Sequence, residues 1–364
     1  MQSSTLHPDT KVQQIHFGGG TPTFLSPEQL RRLGKLIDTW FNMHTDAEFS
    51  VEIDPRRVDE GHIRALKEIG CNRASLGVQD TNEEVQQAIH RIQPFEQTKK
   101  VTDLLRSNGI TSVNFDLIYG LPKQTLQSFK KSIDDVLSLD PDRFAIYSYA
   151  HIPSVMPSQK LLNEDDLPDT EEKLGMLVFS IDYLPKAGYR YIGMDHFAKE
   201  SDELSIALSE GTLHRNFQGY STRAELEMIG LGMSSISQNE HFYTQNEKEL
   251  SNYYKLLDSG KLPVKKALKL TDEDQIRKKV IMQIMCRGEL NYNLFRDETG
   301  IEFAGKFRNE IERLKELEAD GLLILMAKGF RITSTGRLFL RNIAMIFDEY
   351  LTFKRHKTAY SKTV

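Results

Sequence analysis

Two hydrophobic periodicities interleave along the first half of the chain. Short apolar runs, the mark of buried strands, separate longer stretches whose apolar residues recur at helical spacing. The first run, residues 12–17, predicts a strand ending in Gly18-Gly19-Gly20-Thr21-Pro22-Thr23. Leu30, Leu33, Ile37, Trp40 and Phe41 then mark the apolar face of a helix. Ser26 is its expected N-cap, Pro27 its first residue, and Gln29 completes a capping box. Further strands are predicted over 49–54, 73–78, 111–118 and 143–149, and helices over 59–69, 82–90, 96–107 and 125–137. Thr81 and Glu84 read as a second capping box. Gly70, Gly109 and Gly188 each follow a helix and precede a strand by a few residues, as helix-stopping glycines do. Alternating strand and helix with short connections implies a parallel sheet, open or closed.

The second half changes character. Residues 160–171 are polar and predict a surface loop before a helix over 172–184, and 263–270 read as a linker. Helices are expected over 273–285, 303–319 and 335–350. An apolar, β-prone stretch at 321–332 carries a Lys328-Gly329 turn. Helices with one hairpin predict a winged-helix-like C-terminal domain.

Composition narrows the function classes. Hydrophobic residues at 39% and charged residues at 27% exclude a collagenous or wholly disordered chain of this length, 364 residues. No apolar run reaches the roughly 18 residues that a spanning helix needs. The N-terminal residues lack a basic region followed by an apolar core, so a cytoplasmic protein is expected. A net charge of -5 argues against non-specific nucleic-acid binding. The two cysteines, Cys71 and Cys286, are too few for a disulfide framework or for three thiolates on an iron–sulfur cluster.

In parallel α/β sheets, functional groups gather at the C-terminal strand ends. Here those ends carry Gly18-Gly19-Gly20-Thr21, Glu52 with Asp54, Gln79 with Asp80, Asp116, and Tyr149-Ala150-His151. Five successive strands ending in polar or glycine-rich groups favour one shared ligand pocket. The triple glycine lets backbone approach a ligand. No Lys-Ser/Thr follows it, which excludes a phosphate-binding P-loop. Glu52 is a candidate acceptor for a ribose diol and Arg91 a candidate carboxylate partner. His196 is a catalytic candidate or a simply hydrogen-bonded side chain, and the donor-rich segment His214-Arg215-Asn216-Phe217-Gln218-Gly219-Tyr220 suits an acidic substrate or a plain polar loop.

Several of these segments, read in order, carry a resemblance. They are His16–Thr23, Val51-Glu52-Ile53-Asp54-Pro55, Leu76-Gly77-Val78-Gln79-Asp80, Asp116–Pro122, Gly193-Met194-Asp195-His196-Phe197-Ala198 and His214–Tyr220. Together they resemble the oxygen-independent coproporphyrinogen III oxidases (coproporphyrinogen III dehydrogenases) of the radical SAM superfamily, from about residue 12 to the C-terminus. The resemblance implies an α/β fold: a partial (β/α)6 barrel without its first strand over 12–262, including a substrate-side extension, and a helical, winged-helix-like domain over 271–364. Residues 1–11 are expected to be loose. It implies oxidative decarboxylation of coproporphyrinogen III to protoporphyrinogen IX in haem biosynthesis. In that family a [4Fe-4S] cluster reduces S-adenosylmethionine (SAM) to a 5′-deoxyadenosyl radical.

By position, Gly19 matches a backbone contact to the cluster-bound SAM, Glu52 its ribose-region ligand and Ile236 an adenine-side contact. Gly20, Thr21, Gln79, Arg91, Asp116 and Ala150 match residues assigned to a second SAM. No catalytic residue is assigned. The family's Cys-x3-Cys-x2-Cys motif precedes the glycine-rich strand and is not found in this sequence, so the chain is expected to be a fragment that binds no cluster alone. Glu225 to Glu227 also depart from the family's Asp-rich pattern. A monomer of the full-length enzyme, no membrane or nucleic-acid partner and an unidentified reductant complete the expectation. The competing readings are a non-catalytic haem-chaperone-like porphyrin binder and a winged-helix DNA-binding protein.

Overall fold

The computed structural model describes residues 9–224 and 226–353. Most of the loose N-terminal segment expected from the sequence, and Glu225, lie outside the described residues. The chain divides into two compact units. One holds the chain up to Tyr191 together with Asp195–Asp202, and the other Ile192–Met194 and the residues from Glu203 onward.

The first unit alternates strand and helix: β1 (Lys11–Phe17), α1 (Pro27–Trp40), β2 (Asn42–Ile53), α2 (Glu60–Glu68), β3 (Arg73–Gln79), α3 (Glu83–Ala88), α4 (Phe95–Ser107), β4 (Ser112–Tyr119), α5 (Leu126–Leu137), β5 (Arg143–Ser148), α6 (Thr170–Lys186), β6 (Tyr189–Gly193) and β7 (His196–Lys199). The strands form one sheet in the order β1-β2-β3-β4-β5-β7-β6. The first five run parallel in sequence order, and β7 joins β5 antiparallel. This curled half-barrel is the α/β architecture expected from the alternation.

Local chemistry sets the boundaries. Ser26 and Gln29 make the reciprocal capping box at the start of α1, directly after which Pro27 occupies the first helical position. Gly70, Gly109 and Gly188 take φ of 95°, 79° and 92°, the left-handed backbone that lets a helix turn at once into a strand. Two expectations are corrected. Asn82, not Thr81, caps α3, accepting from the amides of Glu84 and Val85. Thr81 instead hydrogen-bonds Ser132 and Asp135. The second strand starts at Asn42 rather than residue 49, because Lys11 and Val12 of β1 already pair with Asn42 and Met43 before a shift in register.

The two sheet faces differ sharply. On the outer face Val51, Ile53, Ala74, Leu76, Val78, Val113, Phe115, Leu117, Phe144 and Ile146 are at most 2% exposed. Ile63, Leu66, Val101, Leu105, Phe129, Ile133 and Val136, all buried, supply the helical side of this core. The inner face carries His16, Ser50, Glu52, Ser75, Asn114 and Asp116, which range from exposed Glu52 to half-buried Asp116. Parallel strands are usually apolar on both faces. A polar inner face therefore has a stability cost that core packing must offset.

Asp80, just past β3, ties this unit together. It is fully buried. Its carboxylate accepts from the Asn82 amide at 2.6 Å, the Ser132 hydroxyl at 2.8 Å and Gln124 Nε2 at 2.5 Å, and its carbonyl accepts from Gln86 Nε2 at 2.9 Å. Gln124 in turn accepts from the amides of Gly120 and Leu121. One side chain thus fixes the end of β3, the start of α3, α5 and the loop after β4. Burial pushes its carboxyl pKa up while these hydrogen bonds hold it down.

The second unit contains α7 (Glu203–Glu210), a hairpin of β8 (His214–Asn216) and β9 (Gly219–Ser221), an antiparallel sheet of β10 (Ile236–Gln238), β11 (Phe242–Asn246) and β12 (Val264–Lys269), and α8 (Leu250–Asp258). Strand β12 overturns the linker expected at 263–270: its residues pair with β11 from Phe242 to Asn246. The exposed lysines that made it look like a linker lie on an edge strand, where charge is tolerated. Beyond it come α9 (Asp272–Arg287), β13 (Glu289–Asn291), α10 (Tyr292–Thr299), α11 (Phe303–Lys306), α12 (Arg308–Ala319), β14 (Leu323–Met326), β15 (Gly329–Ile332), α13 (Leu340–Met345) and α14 (Glu349–Phe353). Their small sheet has the order β13-β15-β14 beside the helices, a winged-helix-like arrangement. Phe295, Phe303, Phe307, Phe330 and Phe347 are fully buried there. No helix among the described residues is long and apolar enough to cross a membrane.

Replacing Asp80 by Ala strands the Ser132 and Gln124 donors in the core. We expect a stability loss of about 2–4 kcal/mol by urea unfolding, and a smaller one for Asp80→Asn, which keeps one acceptor oxygen.

Candidate functional site

The polar inner face converges at the C-terminal ends of β1 to β4. His16, at the end of β1, places Nδ1 2.9 Å from the Ser50 hydroxyl and Nε2 3.3 Å from Glu52 Oε1. The Gly19 amide donates to Glu52 Oε2 at 3.3 Å. The hydrogen bond from His16 is the main cause lowering the Glu52 pKa, opposed by partial burial. A Cβ on Gly18 would lie 2.6 Å from His16 Nε2 and 3.0 Å from the Glu52 carboxyl carbon, so a side chain there would displace the pair. Gly19 and Gly20 have φ of 68° and 90°, and a Cβ on either would meet nothing within 4 Å. Their backbone therefore faces open space beside a carboxylate. Thr21 caps the short turn Pro22–Phe24 without using its side chain.

Deeper in the sheet, the Ser75 hydroxyl donates to Asp116 Oδ2 at 2.8 Å and Asn114 Nδ2 to Asp116 Oδ1 at 2.7 Å. Burial pushes the Asp116 carboxyl up to about 6, the nearby Glu52 charge adds to the rise, and the two hydrogen bonds oppose it. Asp116 therefore titrates within reach of neutral pH, which is uncommon for an aspartate.

A second cluster lies beside the β3 end. Arg91 Nη2 donates to the Gly77 carbonyl at 2.8 Å and lies 3.3 Å from Asp54. Asp54 also accepts from Arg56 at 2.7 Å. Arg91 Nε is buried with no hydrogen-bond partner among the described residues. Desolvation is the main cause lowering the Arg91 pKa. A Cβ on Gly77 would lie 2.9 Å from Gln79 Nε2 and 3.3 Å from Arg91 Nη2, so this glycine lets both side chains fold back over the strand. Gln79 itself has φ of 67°, rare for a residue with a side chain. Such strain gathers at ligand sites.

The structure thus joins Gly19 to Glu52 directly, gathers Gln79 and Arg91 at Gly77, and holds Glu52 within electrostatic reach of Asp116. Ala150 follows β5, and its carbonyl accepts from Gln159 at 2.9 Å. Ile236 lies on β10 in the other unit, paired with Gln245. His196 sits on β7 opposite Ala145, with its ring edge-on to Tyr147 at 6.1 Å. His16, Ser50, Ser75 and Asn114 were not singled out as site residues from the sequence. Their signal was available in the alternation Ser50/Glu52, Ser75/Gly77/Gln79 and Asn114/Asp116, which puts polar side chains on one face of each strand. A broad depression of about 560 Å³ beside Asp140, Gly188, Tyr189 and Lys199 lies at the opposite end of the strands and gathers no comparable group.

The radical SAM superfamily matches residues 5–136, and the HemN C-terminal domain matches residues 270–339. The oxygen-independent coproporphyrinogen III oxidase of Helicobacter pylori is 46% identical over 99% of this chain and 79% of its own length. That of Pseudomonas aeruginosa is 46% identical over 96% of this chain and 76% of its length. The solved coproporphyrinogen III oxidase (HemN) from Escherichia coli, a radical SAM enzyme, matches at 42% identity with a TM-score of 0.91, over 93% of this chain and 78% of that one. The chain thus spans 76–79% of the length of these two relatives.

Superfamily membership implies SAM and a [4Fe-4S] cluster. The open glycine backbone, the Glu52 carboxylate and the orphaned Arg91 Nε fit the acceptors and donors of a nucleoside joined to an amino acid. The cysteines do not fit a cluster. Both are buried, and burial pushes both thiols up to about 12, far from the thiolate a metal needs. Among the described residues no group of three or more His, Cys, Asp or Glu side chains could hold a metal ion. With identity above 40% sustained along nearly its whole length and the same fold, the chain belongs to the oxygen-independent coproporphyrinogen III oxidase family of radical SAM enzymes.

Proposed function

We propose that this chain acts in the oxidative decarboxylation of coproporphyrinogen III to protoporphyrinogen IX, with SAM held at the C-terminal ends of β1 to β5. The observation that carries the reading is the polar inner face: six polar side chains hydrogen-bonded on a parallel sheet beside an open glycine backbone. SAM supplies the hydrogen-abstracting group of this chemistry. The thiolates of an iron–sulfur cluster are not among the chain's residues. The chain's own share is to bind and orient SAM and the porphyrinogen and to exclude water.

In this reading Glu52 accepts from the ribose hydroxyls, with its orientation fixed by His16 and the Gly19 amide. Gly19, Gly20 and Thr21 offer backbone groups, and Ile236 is an adenine contact. Arg91 takes a carboxylate, while Gln79, Asp116 and Ala150 complete the polar lining. Asp116, once ionised, offers negative charge to the cationic part of SAM.

Glu52→Gln removes the charge from a side chain that is 47% exposed, so we expect its melting temperature to stay close to the parent's. SAM binding by calorimetry should weaken about tenfold to a hundredfold. Arg91→Ala should weaken binding similarly and also lower the melting temperature, because Gly77 and Asp54 lose their donor. Parent-like SAM affinity in both variants would overturn the site.

The pH dependence has a definite sign. The folded Asp116 carboxyl at about 6 lies above its unfolded value of 3.8. Its contribution to stability is full below about pH 4 and is lost as pH rises to about 6, by up to about 2–3 kcal/mol. Asp116→Asn should remove this decline when urea midpoints are compared from pH 4 to 7. Parallel curves for the two proteins would contradict the shifted carboxyl.

Anaerobic reconstitution with iron and sulfide should leave this chain without stoichiometric cluster. About four irons per chain, retained through gel filtration, would contradict the reading of Cys71 and Cys286 as buried, inert thiols.

A further inference from the structure

The hairpin of β8 and β9 presents a cation that the site described above does not use. Arg215 is half-buried. Its Nε is buried with no hydrogen-bond partner, and no carboxylate pairs with its guanidinium among the described residues. The guanidinium carbon lies 5.6 Å from the centre of the Tyr220 ring, the residue opposite it on the hairpin. Tyr220 is itself firmly held. It is 9% exposed, and its hydroxyl donates to the Met285 carbonyl of α9 at 2.9 Å. Its ring and hydroxyl pack against Gly193, where any Cβ would collide with the hydroxyl oxygen.

This arrangement is costly for the fold. A half-buried guanidinium loses hydration, and one aromatic face repays only part of that loss. Elsewhere in this unit a guanidinium at similar depth is fully matched: Arg277 pairs with Glu273 at 2.7 Å and Glu310 at 2.9 Å, and also lies over the Phe307 ring. Arg215 has the aromatic platform and lacks the carboxylates. Lying over the Tyr220 ring restrains the guanidinium, and its fork geometry suits a planar, bidentate anion.

We infer that Arg215 anchors a carboxylate of the substrate, the chemical class being a propionate side chain of a tetrapyrrole. The assignment rests on the substrate reading above and adds to it a specific residue and a specific group. Lys278, whose Nζ lies 5.4 Å from the Tyr243 ring, is a second cation of this unit held on an aromatic face. Its flexible ammonium lacks the fork geometry, so Arg215 is the residue the observations single out.

The test uses coproporphyrin III, the oxidised and strongly absorbing form, titrated into the full chain at equilibrium, with its tetramethyl ester as an uncharged control. Arg215→Met should weaken coproporphyrin binding at least tenfold and leave ester binding unchanged. Arg215→Lys, which keeps charge without the fork, should fall between parent and Arg215→Met. Because the cation lacks a partner in the free protein, Arg215→Met should melt no lower than the parent. Equal coproporphyrin affinity in parent and both variants would overturn the assignment, as would equal losses for acid and ester. A parent chain that binds neither compound would instead overturn the substrate reading, and the assignment with it.

Discussion

The first unit depends on one buried carboxylate. Asp80 gathers donors from the start of α3, from α5 and from the loop after β4, all within 2.5–2.9 Å. The start of α3 lies some forty positions from the loop after β4 and the α5 that follows it. Hydrophobic packing beneath the sheet is non-directional and could not set their register alone. The hydrogen bonds to Asp80 can, because each is short, buried and directional. The consequence reaches the site: the chain leaves β3 through Gln79 at φ of 67°, a conformation held by the residue that follows it.

The same sheet has two physical characters. Its outer face is an apolar core, while its inner face carries two hydrogen-bonded polar groups, His16 with Ser50 and Glu52, and Ser75 with Asn114 and Asp116. Two acids on this face feel each other, and the more buried one, Asp116, holds its proton longer. Such an acid responds to its surroundings: a nearby positive charge would draw its pKa back down and hold it ionised.

Much of this was legible in the sequence. The capping box at Ser26, the helix-stopping glycines and the polar strand ends each rest on short-range chemistry, and the structure keeps them. What failed was non-local. Thr81 looked like a cap because Glu84 stands three residues on, yet its hydroxyl is drawn to Ser132 and Asp135, some fifty positions away. Residues 263–270 looked like a linker because lysines mask an edge strand, and only pairing with β11 reveals it. The site showed the same divide. Gly19, Glu52 and Asp116 stood out at strand ends, whereas Ser75 and Asn114 acquire meaning only when neighbouring strands bring them to one carboxylate.

Two guanidiniums differ in how far the fold compensates them. Arg91 is largely compensated, by the Gly77 carbonyl and Asp54, and leaves one N–H vector unpaired. Its orientation is therefore set by the protein, and a ligand contributes the last acceptor. Arg215 lies over a tethered tyrosine and has no counter-charge among the described residues. In the first case the fold bears little cost and the ligand adds little stability. In the second the fold bears more, and under the assignment proposed above an anion would recover that cost. Natural proteins retain such strain where function requires it. A chain that orders its cations in both ways can fix a small ligand in a pre-formed site and still draw part of its affinity for a larger, anionic one from charge left uncompensated.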